Sequence, residues 1–240
     1  MIRRAAICGI LCLFCFAVGL QAGPVTSSVM IGGTTQDPAA PTGNCDPFGC
    51  PEFFGLGTYQ QVYLATAFPG SMLIGSLDFF DSAVHNGAEP AAGDFTVSLS
   101  YTNGQPGNLD LTNPTNNVGP DSSVFFSGAL PSLTATSTPG EREMTLTGTP
   151  FFYDPTLGNL LLTVTVTNPV DGFPYLDLDY AAGLTDSTNA YYGSFGNGGN
   201  TQGGLDTEFN PSAVPEPGTI LLTLAGFGLI GLAWRRRLIA

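Results

Sequence analysis

Two stretches of the chain alternate apolar and polar residues with a period of two. "DFTVSLSYT" places Phe95, Val97, Leu99 and Tyr101 on one face and Thr96, Ser98 and Ser100 on the other. "LLLTVTVT" repeats the pattern, with Leu162, Val164 and Val166 opposed to Thr163, Thr165 and Thr167. Such a period belongs to a β-strand with one wet face. Further apolar stretches predict strands over 59–66, 72–80, 123–130, 144–152, 175–180, 190–195 and 205–209, roughly nine in all. Turn-forming runs such as "FPGS", "NGQPGN", "STPG" and "FGNGGNTQGG" separate them. In "PFFYDPTLGNLLLTV" the residues Asp154-Pro155 and Gly158-Asn159 predict a hairpin. The expected fold is all-β, an antiparallel β-sandwich or jelly roll. No repeat of fixed period argues for a solenoid.

The two ends break this pattern. Residues 7–20 are an apolar run of 14 that follows Arg3 and Arg4 and ends in Gln21-Ala22-Gly23. That order of charged, apolar and small residues is a secretory signal peptide, residues 1–22, and its core is short for a bilayer span. Cys8, Cys12 and Cys15 lie inside it without the Leu-small-small pattern of a lipoprotein signal, so they read as apolar filler. Near the other end, residues 218–234 are 17 positions without a charge, at the lower limit for a transmembrane helix. Trp234 falls at an interface position, and Arg235, Arg236 and Arg237 hold that end in the cytoplasm by the positive-inside rule. Residues 23–212, 190 in number, remain as one exported domain with enough chain for a sizeable core.

Charge narrows the chemistry of that domain. Its 18 acidic residues face one basic residue, Arg142, a net of −17, and the chain contains no lysine. Such a surface repels nucleic acid and anionic lipid and attracts divalent cations. Without lysine there is no Schiff base and no Lys-Asn isopeptide crosslink, and no basic cluster neutralises a phosphoryl group. The single histidine, His85, lies in the loop-like "DSAVHNGAEP", away from any nucleophile-elbow motif. The chain is therefore expected not to be an enzyme and to need no cofactor. Gly226, Gly228 and Gly231 match G-x-G-x-x-G, but only nine residues follow, too few for a dinucleotide fold.

Three constellations keep other functions open. Asp177 and Asp179 in "YLDLDY", like Asp78 and Asp81 in "LDFFDS", are candidate carboxylate pairs. They could serve a polysaccharide hydrolase, ligate a metal (Ca2+ at Asp177 and Asp179), or form a solvated strand face; no DxDxDG loop accompanies them. Tyr191, Tyr192 and Phe195, beside Gly-rich loops, could stack on sugar rings in a carbohydrate-binding or adhesive module, or pack in the core. Cys45 and Cys50 in "NCDPFGCPEFF" read as a small disulfide ring in an oxidising compartment, expected to stiffen a loop and to add little to global stability.

The C-terminal segment carries the strongest signal. Val214-Pro215-Glu216-Pro217-Gly218, then the apolar run, then Arg235 to Arg237, resembles the PEP-CTERM sorting signal, over residues 213–240. The resemblance implies that an exosortase, an integral-membrane cysteine protease of Gram-negative bacteria, recognises the motif and cuts near Pro215 to Pro217. It implies an exported precursor anchored in the inner membrane, then released to the outer surface or to an extracellular matrix of exopolysaccharide in a biofilm. This kind of tail is also labelled an ice-binding protein C-terminal domain, a label without bearing on ice: the Thr163, Thr165 and Thr167 row is a single strand's wet face. Stretches such as "YQQVYLATAFPGSMLIGSLDFF" are similar to ectodomains of other proteins with this signal. The leading expectation is a structural surface or matrix protein, with the carbohydrate-binding module and the hydrolase as alternatives.

Overall fold

Among the described residues the chain forms twelve strands: β1 (Val29–Ile31), β2 (Gly43–Asn44), β3 (Leu56–Tyr63), β4 (Met72–Phe80), β5 (Ala92–Thr102), β6 (Ser123–Gly128), β7 (Arg142–Tyr153), β8 (Asn159–Val170), β9 (Leu178–Ala182), β10 (Ser187–Gly193), β11 (Gly196–Leu205) and β12 (Thr207–Pro211). The computed structural model describes residues 27–32, 43–52, 55–82, 88–133, 141–172, 174–182, 186–193 and 196–212. The expected signal peptide, sorting segment and transmembrane helix lie outside the described residues, as do His85 and Phe195. Among the described residues no helix is long and apolar enough to cross a membrane.

The strands form two antiparallel sheets, one of four strands in the order β1-β12-β4-β7 and one of eight in the order β2-β9-β11-β10-β3-β8-β5-β6. Side chains from both meet in one core: Leu77, Phe79, Met144, Leu146 and Phe209 from the smaller sheet, Tyr59, Val97, Leu99, Leu162 and Val164 from the larger. This is the all-β sandwich that the alternation implies.

The larger sheet's other face is wet only in part. Thr165 and Thr167 are exposed, whereas Ser100, Thr102 and Leu161 on the same face are buried. Residues 103–122, between β5 and β6, cover them, and Leu109 joins Val62, Leu161, Ala190 and Tyr192 in a second apolar cluster. Asn117 fastens this cover: its Nδ2 donates to Gln60 Oε1 at 2.8 Å and to the Tyr192 hydroxyl at 2.9 Å.

Three sequence expectations need correction. Asp154 to Gly158 do not close a hairpin ladder, because β7 belongs to the four-stranded sheet and β8 to the eight-stranded one. These residues are a corner between sheets, tightened where Asp154 Oδ1 accepts from the Thr156 N–H at 2.9 Å. The Gly-rich run "FGNGGNTQGG" is mostly strand, β11, paired with β9 and β10. Glycine is required there by crowding: a Cβ on Gly199 lies 2.5 Å from Ala190 Cα, and one on Gly204 lies 2.5 Å from Gln61 Cδ. Finally, Tyr175 lies outside the named strands, in an isolated parallel bridge to Glu89, and β9 starts at Leu178.

Candidate functional site

The sorting residues Val214, Pro215, Glu216, Pro217 and Gly218 and the membrane stop Arg235 to Arg237 lie outside the described residues. The fold shows how the chain is delivered to them. β12 is bonded to β1 on one side and β4 on the other. Its pairing continues to the last described residue, where the Ser212 N–H donates to the Leu73 carbonyl at 2.6 Å. Folded structure therefore reaches to within three residues of Pro215.

The candidate carboxylates separate into different roles. Asp177 is half-buried just before β9, and its carbonyl accepts from Ser82 Oγ–H at 2.8 Å; Asp179 is buried, and its Oδ1 accepts from the Tyr180 N–H at 3.0 Å. Among the described residues no three His, Cys, Asp or Glu side chains gather to hold a metal ion. Asp78 and Asp81 do not act as a pair either. Asp78 accepts from Arg142 Nη1 at 3.1 Å, Thr145 Oγ1 at 2.6 Å and Asn210 Nδ2 at 2.9 Å. Asp81 faces Glu143, which sequence reasoning missed. Burial first, and then the charge and hydrogen bond of Asp81, push the Glu143 carboxyl up to about 8. Both groups are closed to solvent, at 0% and 3% exposure. Two carboxyls in direct contact and out of reach of substrate do not leave the separation of about 5 Å or more that glycoside hydrolysis uses. The alternation of Glu143 with Arg142 at the start of β7 was the one available signal, since it sends neighbouring charges to opposite faces of the strand.

Aromatic candidates fare similarly. Tyr192 is 6% exposed, and its hydroxyl donates to the Asp110 carbonyl at 2.6 Å. Its burial pushes the phenol up to about 12. The Tyr192 ring is a packing element rather than a stacking platform. An open groove of about 500 Å³ lies elsewhere, lined by Tyr101, Asn103, Asn116, Pro120, Asp121 and Leu157 among others. Here Tyr101 is fixed by stacking on Tyr153, with centroids 5.4 Å apart, and by its hydroxyl, which accepts from the Asp154 N–H at 2.7 Å. Leu157, 67% exposed, and the exposed Asn103 give the rim one apolar and one neutral polar group.

Cys45 and Cys50 form the expected disulfide, with Cα atoms 5.3 Å apart. Its ring is more than a stiffened loop. Phe48 inside it is 1% exposed and enters the core between Phe79 and Phe95, at centroid distances of 5.0 and 6.2 Å. Backbone bonds from Ala91 N–H to the Phe48 carbonyl and from Gly172 N–H to the Gly49 carbonyl, 2.7 and 3.1 Å, hold it there. Beside it Asp46 is buried, and burial together with the charge of Asp171 pushes its carboxyl up to about 7.

Comparison with curated proteins and with solved structures returns no match. Comparison with family models returns one, over the segment that β12 feeds. Residues 213–237 match the PEP-CTERM protein-sorting motif, which implies an exported, membrane-anchored precursor processed by an exosortase and sorted to the cell surface.

Proposed function

We propose that the processed β-sandwich is a non-catalytic structural protein of the outer surface or of an exopolysaccharide matrix. The observation that carries this reading is the junction of a sorting motif at 213–237 to a sandwich whose candidate carboxylates Asp78 and Asp81 are engaged within the fold, by Arg142 and by Glu143. An exosortase gene deletion is expected to leave the tail uncleaved and the chain in the membrane fraction, as is replacement of Pro215, Glu216 and Pro217 by alanine. Unchanged release overturns the processing step. For the matrix role, deletion of this chain's own gene is expected to reduce the mass of matrix retained by the cells, and restoration of the processed form to recover it. An undiminished matrix overturns that role.

A second reading is favoured by the groove beside Tyr101. Apolar walls with neutral amides suit the C–H face and hydroxyls of an uncharged sugar, whereas the net charge of the domain opposes an acidic one. An array of neutral glycans tests it, with Leu157→Ala and Asn103→Ala expected to abolish any signal. Binding that survives both substitutions removes the groove from consideration.

A further inference from the structure

We infer that one end of the sandwich, marked by Phe152, Leu73 and Leu157, touches the bilayer surface while the precursor is anchored; the inference rests on that anchoring. Leu73 and Phe152 are paired across β4 and β7. Their chain neighbours Met72, Ile74, Phe151 and Tyr153 fill the core, so this pair stands on the outer face of the smaller sheet, with Phe152 55% exposed. Tyr153 ends β7, and the corner that follows carries Leu157, 67% exposed. Two large apolar side chains are thus left in solvent at one end of the sheet.

The chain leaves for the membrane at that end. Ser212 donates to the carbonyl of Leu73 itself. From Ser212 to Gly218, where the uncharged run begins, is six residue steps, at most about 20 Å of extended chain. β1 enters there too: Val29 lies opposite Phe209 and Ile31 opposite Thr207, which puts the residues before Val29 beside Pro211. Both apolar segments of the precursor are therefore attached at the end that carries Phe152. Aromatic and aliphatic side chains held this close to a bilayer gain by entering its interface. Charge disfavours a broader contact, since a domain with 18 acidic residues and one arginine is repelled by anionic lipid over its flanks. Asp154, in the corner, turns its carboxylate back onto the N–H and hydroxyl of Thr156. The domain stands end-on, with β8 carrying Val170 eleven residues, about 36 Å, away from the corner.

The test uses the full-length chain with Trp234→Phe, which removes the one native tryptophan. Phe152→Trp, Leu157→Trp or Val170→Trp then places a single probe at an exposed position. Each variant is reconstituted into phosphatidylcholine vesicles with plain or brominated acyl chains. Expected is a loss of fluorescence from brominated lipid at positions 152 and 157 and none at 170. Equal emission in both lipids at 152 and 157 overturns the contact, and quenching at all three positions overturns the end-on placement. Flotation of the same samples separates the two levels. A chain that floats unquenched keeps its anchor and loses the contact, while one that does not float loses both.

Discussion

Arg142 reaches from β7 to Asp78 on β4, Nη1 to Oδ2 at 3.1 Å, and the two partners differ sharply in exposure: 58% for the arginine side chain, 1% for the aspartate. The carboxylate also accepts from Thr145 and Asn210, so donors from β7 and β12 converge on it. The two partners should therefore respond unequally to truncation. Asp78→Ala strips three donors of their acceptor and is expected to cost about 2–3 kcal/mol. Arg142→Ala leaves the buried carboxylate two bonds and admits water where the exposed guanidinium lay, for a smaller cost of about 1–2 kcal/mol. Urea denaturation of both variants measures the difference, and equal losses contradict this account.

The disulfide ring acts through Phe48. Truncating a buried phenylalanine to alanine costs about 3–5 kcal/mol, and Phe48→Ala is expected in that range. Replacing both Cys45 and Cys50 by serine frees the loop that seats the ring, so part of the same packing is lost. Combined with Phe48→Ala, that double replacement should cost less than the sum of the two effects. Strict additivity in thermal or urea unfolding means that the ring and the phenylalanine act independently.

Gln61 joins two strands that are not neighbours in sequence. Its Oε1 accepts from the Tyr59 hydroxyl at 2.6 Å and the Leu205 N–H at 2.9 Å, and its Nε2 donates to the Leu205 carbonyl at 2.9 Å. Gln61→Leu orphans these buried groups and is expected to cost about 2–4 kcal/mol. The Tyr59 hydroxyl is also bonded to the buried Asn189, so Tyr59→Phe carries a cost of its own, and the double variant should lose less than the sum of the two single losses. A double variant whose loss equals that sum refutes the network.

These cases show what was legible in the sequence. Alternation in β5 and β8 is a local signal of which face is buried, and Phe95, Val97, Leu99, Leu162, Val164 and Val166 all lie in the core. β4 was delimited residue for residue because both its faces are largely apolar and a turn precedes it. By contrast, β11 hides among glycines, since what makes it a strand is its pairing with β9 and β10, and close neighbours such as Ala190 select glycine there. The fate of Tyr192 was hidden for a similar reason: Asn117, 75 positions away, sets the burial of its hydroxyl. Glu143 and Asp81 are 62 positions apart, and only the pairing of β4 with β7 brings them together. The sorting motif needs no tertiary partner, and its match at residues 213–237 falls where the sequence places it.

Stability should fall as pH rises above the ordinary carboxylate values. Glu143 is raised from 4.5 to about 8, by burial first and then by Asp81; Asp46 is raised from 3.8 to about 7, by burial first and then by Asp171. A raised carboxyl binds its proton more tightly in the folded state than in the unfolded one, so folding is penalised once the unfolded group has ionised. The penalty grows from about 3.8 to about 7 for Asp46 and from about 4.5 to about 8 for Glu143, and is complete above those values. A tenfold difference in proton affinity between the folded and unfolded chain is worth about 1.4 kcal/mol, so even partial expression of these two differences moves the melting temperature by several degrees. Asp110 and Asp154, held low by side-chain and backbone donors, work the other way: their stabilisation is present above the ordinary carboxylate value and is lost as pH falls below it. A maximum near the ordinary carboxylate values results. Glu143→Gln cannot ionise and is expected to flatten the upper part of the decline, and Asp46→Asn the lower part. Melting curves across the range test this directly, and a slope in Glu143→Gln as steep as in the parent chain assigns the decline to other groups.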